Sequence, residues 1–204
     1  MKFKLICLLF SVIVFASCER KLRAPDMNGN GSAGIIGRWN LVSSGGVTST
    51  STETDLFGTA IRVESKFTFT SSNPKGYYDI TSAQMKAVNI GYDYTGSLNI
   101  KFFEDNILQN EVNNPIPPTP IGPSNETAAI KIVGTDSIAF INTSPVAIQG
   151  APGTFAAPTG CKYKLEGNKL TLLIKFASTS TTNTGGTVSV DKIAADATIV
   201  LQKQ

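Results

Sequence analysis

From Ile35 onward this chain alternates apolar and polar side chains with a period of two, a pattern that leaves few folds open. Over residues 61–70, Ile61, Val63, Phe67 and Phe69 fall on one face, and Arg62, Glu64, Lys66, Thr68 and Thr70 on the other. Residues 92–102 repeat the pattern. Tyr92, Tyr94, Leu98, Ile100 and Phe102 oppose Asp93, Thr95, Ser97, Asn99 and Lys101. Residues 169–176 group Leu170, Leu172, Ile174 and Phe176, with Leu173 the one break in the polar row, and Ala197, Ile199 and Leu201 share a face near the end. Successive side chains of a strand point to opposite faces of the sheet, so each segment has one face to bury. Weaker strand candidates at 36–43, 76–81, 107–112, 128–133, 137–142 and 161–165 fill the intervals.

Short connections rich in Gly, Asn, Pro and Asp punctuate these segments: Asn73-Pro74-Lys75-Gly76, Gly134-Thr135-Asp136 and Glu166-Gly167-Asn168. Hairpin turns of this kind pair consecutive strands antiparallel. The expectation is therefore an all-β fold: an antiparallel up-and-down barrel of eight to ten strands, because closure removes exposed edges. A two-sheet β-sandwich is the alternative. Helical signal is confined to one or two turns at residues 82–88. Three longer stretches read as loops: the proline-rich 113–125, the Ala/Pro/Gly-rich 142–160 and the Ser/Thr/Asn/Gly-rich 177–186. Ile116 and Ile121 in the first, and Val146, Ile148 and Phe155 in the second, would suit a lid or a partner surface; the third reads as flexible.

The first strand opens as Ile36-Gly37-Arg38-Trp39-Asn40-Leu41-Val42-Ser43. Its Gly-x-Trp resembles the start of lipocalin-like barrels, and Gly167-Asn168-Lys169-Leu170-Thr171-Leu172 is similar to a late hairpin in the lipocalin-like domains of secreted bacterial lipoproteins. The resemblance covers residues 35–203. It implies that Trp39 plugs the closed end and that an Arg of the last strand lies over it. No Arg follows Arg62, so that partner is either missing or replaced, with Lys203 the candidate replacement.

Ahead of the alternating region the chemistry changes. Lys2 and Lys4 precede an apolar run from Leu5 to Phe15, and Ala16-Ser17 lead to Cys18. The run is too short to span a bilayer and has the anatomy of an export signal. Phe15-Ala16-Ser17-Cys18 resembles a lipobox, although Phe15 stands where Leu is usual. The expected organisation is a lipoprotein signal peptide over 1–17, a lipidated Cys18 with a flexible tether over 18–34, and a lipocalin-like barrel domain over 35–204. Each buried methylene contributes about 0.8 kcal/mol, so two or more palmitate-length chains on Cys18 hold a protein at a membrane without a transmembrane helix. The expected location is the lipid-anchored face of the cell envelope, the outer membrane being favoured, with periplasmic and surface orientations both open.

Composition excludes more than it specifies. The formal charge of +3 falls to +1 without Lys2 and Lys4, and the domain beyond the tether is near neutral. That gives no electrostatic footprint for nucleic acid. Of three cysteines, only Cys161 remains in the barrel domain, so no internal disulfide forms there, and its place in Cys161-Lys162-Tyr163-Lys164-Leu165 reads as a buried core position. The chain has no histidine, which removes Ser-His-Asp triads, Cys-His pairs and His-ligated zinc or haem. Its one adjacent acidic pair, Glu104-Asp105 beside Asn106, suits a solvated hairpin tip better than a carboxylate mechanism. No cofactor and no metal site is implied, and the chain is not expected to be an enzyme.

Two non-enzymatic expectations remain. In the first, the barrel holds a small apolar ligand among Trp39, Phe67, Phe69, Tyr92, Tyr94 and Phe102, or offers its loops to an envelope protein. In the second, a filled barrel serves as a structural or assembly lipoprotein acting only by protein contacts. Asp136-Ser137-Ile138 also resembles a bacterial O-glycosylation acceptor, with Ser137 the modified residue.

Overall fold

The alternating segments form strands in the computed structural model, which describes residues 34–146, 158–184 and 186–204. The expected signal, Cys18 and the tether up to Ala33 lie outside the described residues, as do Ile148 and Phe155. Nine strands follow one another: β1 (Gly37–Leu56), β2 (Thr59–Ile80), β3 (Gln84–Glu104), β4 (Ile107–Ser124), β5 (Thr127–Val133), β6 (Ser137–Ile141), β7 (Gly160–Glu166), β8 (Lys169–Thr184) and β9 (Thr187–Lys203). All pairings are antiparallel, in the order β2-β1-β9-β8-β7-β6-β5-β3-β4, and a further pairing of β2 with β3 closes one barrel-like ring. The fold is all-β, built as one sheet. Strands β4 and β5 lie along the same edge of β3: Ile107 to Ser124 face Glu104 to Ile90, and Thr127 to Ala129 face Lys86 to Gln84.

Several segments depart from the sequence expectation. Residues 84–88 belong to β3 and not to a helical turn, because Met85 and Ala87 face the core in strand alternation. Asn73-Pro74-Lys75-Gly76 is no hairpin. It is an irregularity inside β2, where the register with β3 shifts twice and Asn73 and Gly76 take positive φ. The proline-rich stretch is paired as most of β4. Its outer edge has no partner strand among the described residues, and an edge is where a residue without an N–H is tolerated. Ile116 and Ile121 therefore pack inward and form no lid. Residues 177–184 are likewise not a flexible loop, but the upper half of β8 against β9.

The ring is complete only in its lower half. Strand β7 meets β8 from Lys169 to Leu173 alone, while β8, β9, β1, β2, β3 and β4 continue upward as a six-stranded extension. One continuous apolar cluster fills the lower half, including Trp39, Leu41, Tyr78, Ile80, Met85, Leu170, Leu172, Ile174, Ile199 and Leu201. At its upper limit Ile174, Ala197, Gly46, Phe69, Gly96 and Ile116 are successive cross-strand neighbours. A Cβ on Gly96 would lie 2.1 Å from the Thr68 carbonyl oxygen, so only glycine lets β2 and β3 bend together here. Phe69 and Phe67 cover the gap, stacked with ring centroids 5.6 Å apart.

The closed end is sealed by the first and last strands. The Trp39 indole N–H donates to the Ile35 carbonyl at 2.8 Å, and the Lys203 ammonium lies 5.4 Å from the Trp39 ring centroid. Gly37 turns the chain beneath it at φ 132°, a conformation other residues rarely adopt. The Gln204 N–H donates to the Arg38 carbonyl at 3.1 Å, fastening the residue after β9 beside the start of β1.

Candidate functional site

The six predicted pocket residues do not line one cavity. Trp39 is fully buried at the closed end, and Tyr92 sits in the lower core, where burial raises its hydroxyl pKa. Phe67, Phe69 and Tyr94 do come together, with Tyr94 edge-on to Phe67 at 6.0 Å, but as packed neighbours. Phe102 lies apart on the extension and is partly exposed. Among the described residues, the void beside Leu41, Ser44, Tyr78, Ile90, Tyr92 and Ile199 is about 20 Å³. A water needs roughly 10–15 Å³ by this measure, whereas drug-sized ligands occupy pockets of about 300–1,000 Å³. The void takes one water. Pro145 and Val146, described at the start of the 142–160 connection, are themselves buried against this core.

Other predicted positions are accounted for individually. Cys161 is buried, and desolvation pushes its thiol up to about 12, which makes it inert as a nucleophile. Ser137 opens β6 and donates through Oγ to Asp136 Oδ1 at 2.8 Å; Lys162 Nζ lies 3.3 Å from Asp136 Oδ2. That hydroxyl and ammonium hold the Asp136 carboxyl below the usual range. Glu104 and Asp105 fall at the β3–β4 turn, as expected. Asp105 Oδ1 accepts from the Ala60 N–H at 3.0 Å, a structural task.

The chemically distinctive region is the far end of the extension. Three hairpin ends stand side by side there: β1–β2 at Phe57-Gly58, β3–β4 at Asp105-Asn106, and β8–β9 where Thr184 faces Thr187. Register aligns them, since Thr54 faces Ser189 and Ile61 faces Glu104. Of the eleven exposed large hydrophobic residues among the described ones, six lie at this end: Phe57 at a tip, Leu56, Phe102 and Ile107 on the face of the sheet that carries Phe67, and Leu108 and Val188 on the other. Scattered exposed apolar residues are ordinary, whereas a cluster marks a contact surface. Phe57 is fully exposed and held at φ 56°, a left-handed conformation that strains a bulky residue by about 1–3 kcal/mol. The turn is held by the Gly58 N–H donating to Asp55 Oδ1 at 2.8 Å. Glu53, Asp55, Glu104 and Asp105 surround the apolar residues with negative charge.

What keeps the tips in place is polar. Arg62 lies over the Phe103 ring at 4.3 Å, donates to Asn106 Oδ1 at 2.9 Å and pairs with Glu64 at 3.0 Å. Thr52 donates to Asp191 Oδ1 at 2.6 Å, and the Thr50 and Ser65 hydroxyls are 2.7 Å apart. The sequence reading missed this surface. It depends on how far the strands run, and the Ser/Thr-rich residues 44–56 carry no apolar alternation to announce a strand. Compared with known protein families, with curated proteins and with solved structures, the chain matches none.

Proposed function

We propose that this chain is a non-enzymatic, lipid-anchored envelope protein with a lipocalin-like barrel, acting by protein contact through its hairpin tips. The observation that carries the proposal is the placement of exposed Leu56, Phe57, Ile107, Leu108 and Val188 around three aligned tips, above a lower half filled by one continuous apolar cluster. A packed interior argues against the small apolar ligand and favours the structural or assembly alternative. The partner chemistry follows from the surface: an apolar groove able to seat an aromatic ring, rimmed by Lys or Arg to meet Glu53, Asp55, Glu104 and Asp105. The acidic collar disfavours insertion into anionic lipid. Lys203 over Trp39 and the positive φ of Gly37 support the lipocalin-like reading. The signal-like residues before Cys18 support the anchor.

The decisive variant is Phe57→Asn. Asparagine tolerates positive φ, so it removes the ring while keeping or easing the turn. In intact cells, the full-length Phe57→Asn/Ile107→Asn protein should lose its chemically cross-linked protein adducts. A control with an exposed apolar residue changed elsewhere, Val42→Asn, should keep them. Adducts that survive in the tip variant overturn the contact reading. Separately, Cys18→Ala should move the protein from the membrane to the soluble fraction and abolish palmitate labelling.

A further inference from the structure

On the opposite face of the extension from Phe67, the polar side chains form a concavity of about 540 Å³, open to solvent. Its shape follows from side-chain length. Ser49 faces Ala194 on β9 and Lys66 on β2, and Ser51 faces Lys192 and Glu64 in the same way. Glu64 in turn faces Lys101 on β3. Short Ala and Ser side chains thus floor the middle, and long ones stand around it. With strands about 4.8 Å apart and like-facing residues about 6.8 Å apart along a strand, Lys66 and Lys192 are roughly 12 Å apart at the backbone.

Charge within the concavity is uneven. Glu64 pairs with Arg62 at 3.0 Å, and Lys101 with Glu111 at 3.7 Å. Lys66 and Lys192 have no acidic partner among the described residues, and both are exposed. Two lysines without an acidic partner, rooted that far apart across a floor of serine hydroxyls, match a ligand whose negative charges are spaced and whose intervening atoms are hydroxyls. A nucleic-acid strand carries denser charge and usually needs aromatic side chains to stack on, and the lining has none.

We propose that this concavity binds an acidic polysaccharide with a carboxylate on alternate sugars, Lys66 and Lys192 each taking one carboxylate while Ser49 and Ser51 meet the sugar hydroxyls. The site is separate from the hairpin tips, so its fate is independent of theirs. The test is a titration of the full-length protein in detergent micelles with fluorescent hyaluronan, which carries its carboxylates in this way. Uncharged dextran and poly-dT are the comparisons. Hyaluronan should bind, Lys66→Gln/Lys192→Gln should weaken it by roughly tenfold, and added salt should weaken the wild type more than the variant. Phe57→Asn should bind like wild type. Absent hyaluronan binding, or binding indifferent to the two lysines, overturns the proposal. So does equal binding of dextran, or lysine-dependent binding of poly-dT as tight as that of hyaluronan.

Discussion

The lower ring and the upper extension share six strands, yet different forces hold them. Below the row of Gly46, Phe69 and Gly96, side chains such as Trp39, Leu170, Leu172 and Leu201 are wholly buried, and the hydrophobic effect dominates. Above it, one face carries Thr50, Thr52 and Thr54 bonded to Ser65, Asp191 and Ser189, and many backbone hydrogen bonds face solvent. A sheet can thus outrun its core when cross-strand polar pairs and an Arg clamp replace packing, each pair adding roughly 0.2–1 kcal/mol. The extension should therefore be the less stable region, opening locally while the ring stays shut.

The largest effect should come from the ring. Leu172→Ala, at a fully buried position, should lower unfolding free energy by about 2–5 kcal/mol in denaturant titration. Ile100→Ala, on the partly exposed inner face of the extension, should lose much less. Equal losses would mean that the two halves share one core. At the boundary, Gly96→Ala forces a Cβ onto the Thr68 carbonyl and should be destabilised by roughly 1–3 kcal/mol, with the near-ultraviolet signal of Phe67, Phe69 and Tyr94 changed.

The buried thiol provides a pH handle on the ring alone. Cys161 has its pKa raised from the model-compound value of 9.0 to about 12, so the folded state favours the protonated thiol. Its contribution to stability is complete below pH 9 and is lost as pH rises toward 12, at up to about 1.4 kcal/mol per unit. Cys161→Ala should lack that component of the alkaline decline, read by denaturant titrations across this window. An unchanged slope would show that the thiol is reachable by water.

The smallest effect belongs to the extension. Thr52→Val removes the hydroxyl bond to Asp191 while keeping strand propensity, and should cost about 1 kcal/mol. Its signature is faster amide hydrogen exchange in residues 47–56 and 187–195, with residues 169–174 unchanged. Exchange that accelerates throughout would make the ring and extension one cooperative unit.

What the sequence disclosed divides only in part along the same line. Alternation located the lower strands because burying one face demands it: Leu170, Leu172 and Ile174 could be read directly as inward, and the same signal reached into the extension along β2 and β3 through Ile61, Val63, Leu98 and Ile100. Residues 177–184 and 44–56 could not, since a strand stabilised by hydroxyl pairs has no apolar period. Prolines misled for a related reason. Pro115, Pro117, Pro118, Pro120 and Pro123 signal loop in an interior strand but are compatible with the outer edge of β4, where they also deter further pairing. Lys203 beside Trp39 was legible because the family resemblance posed the question. Phe57 was not, because its exposure depends on where β1 ends.

The fastening of Gln204 to Arg38 places both ends of the described chain at the closed end, opposite the tips. Strand β1 has 20 residues. At about 3.3 Å per residue and a tilt near 40°, it lifts Phe57 roughly 45 Å above the Trp39 plug. A chain attached to anything through its first residues would therefore present its tips away from the attachment, like the head of a mast. Lengthening the residues ahead of Gly34 would add slack at the foot and leave the distance from plug to tips unchanged.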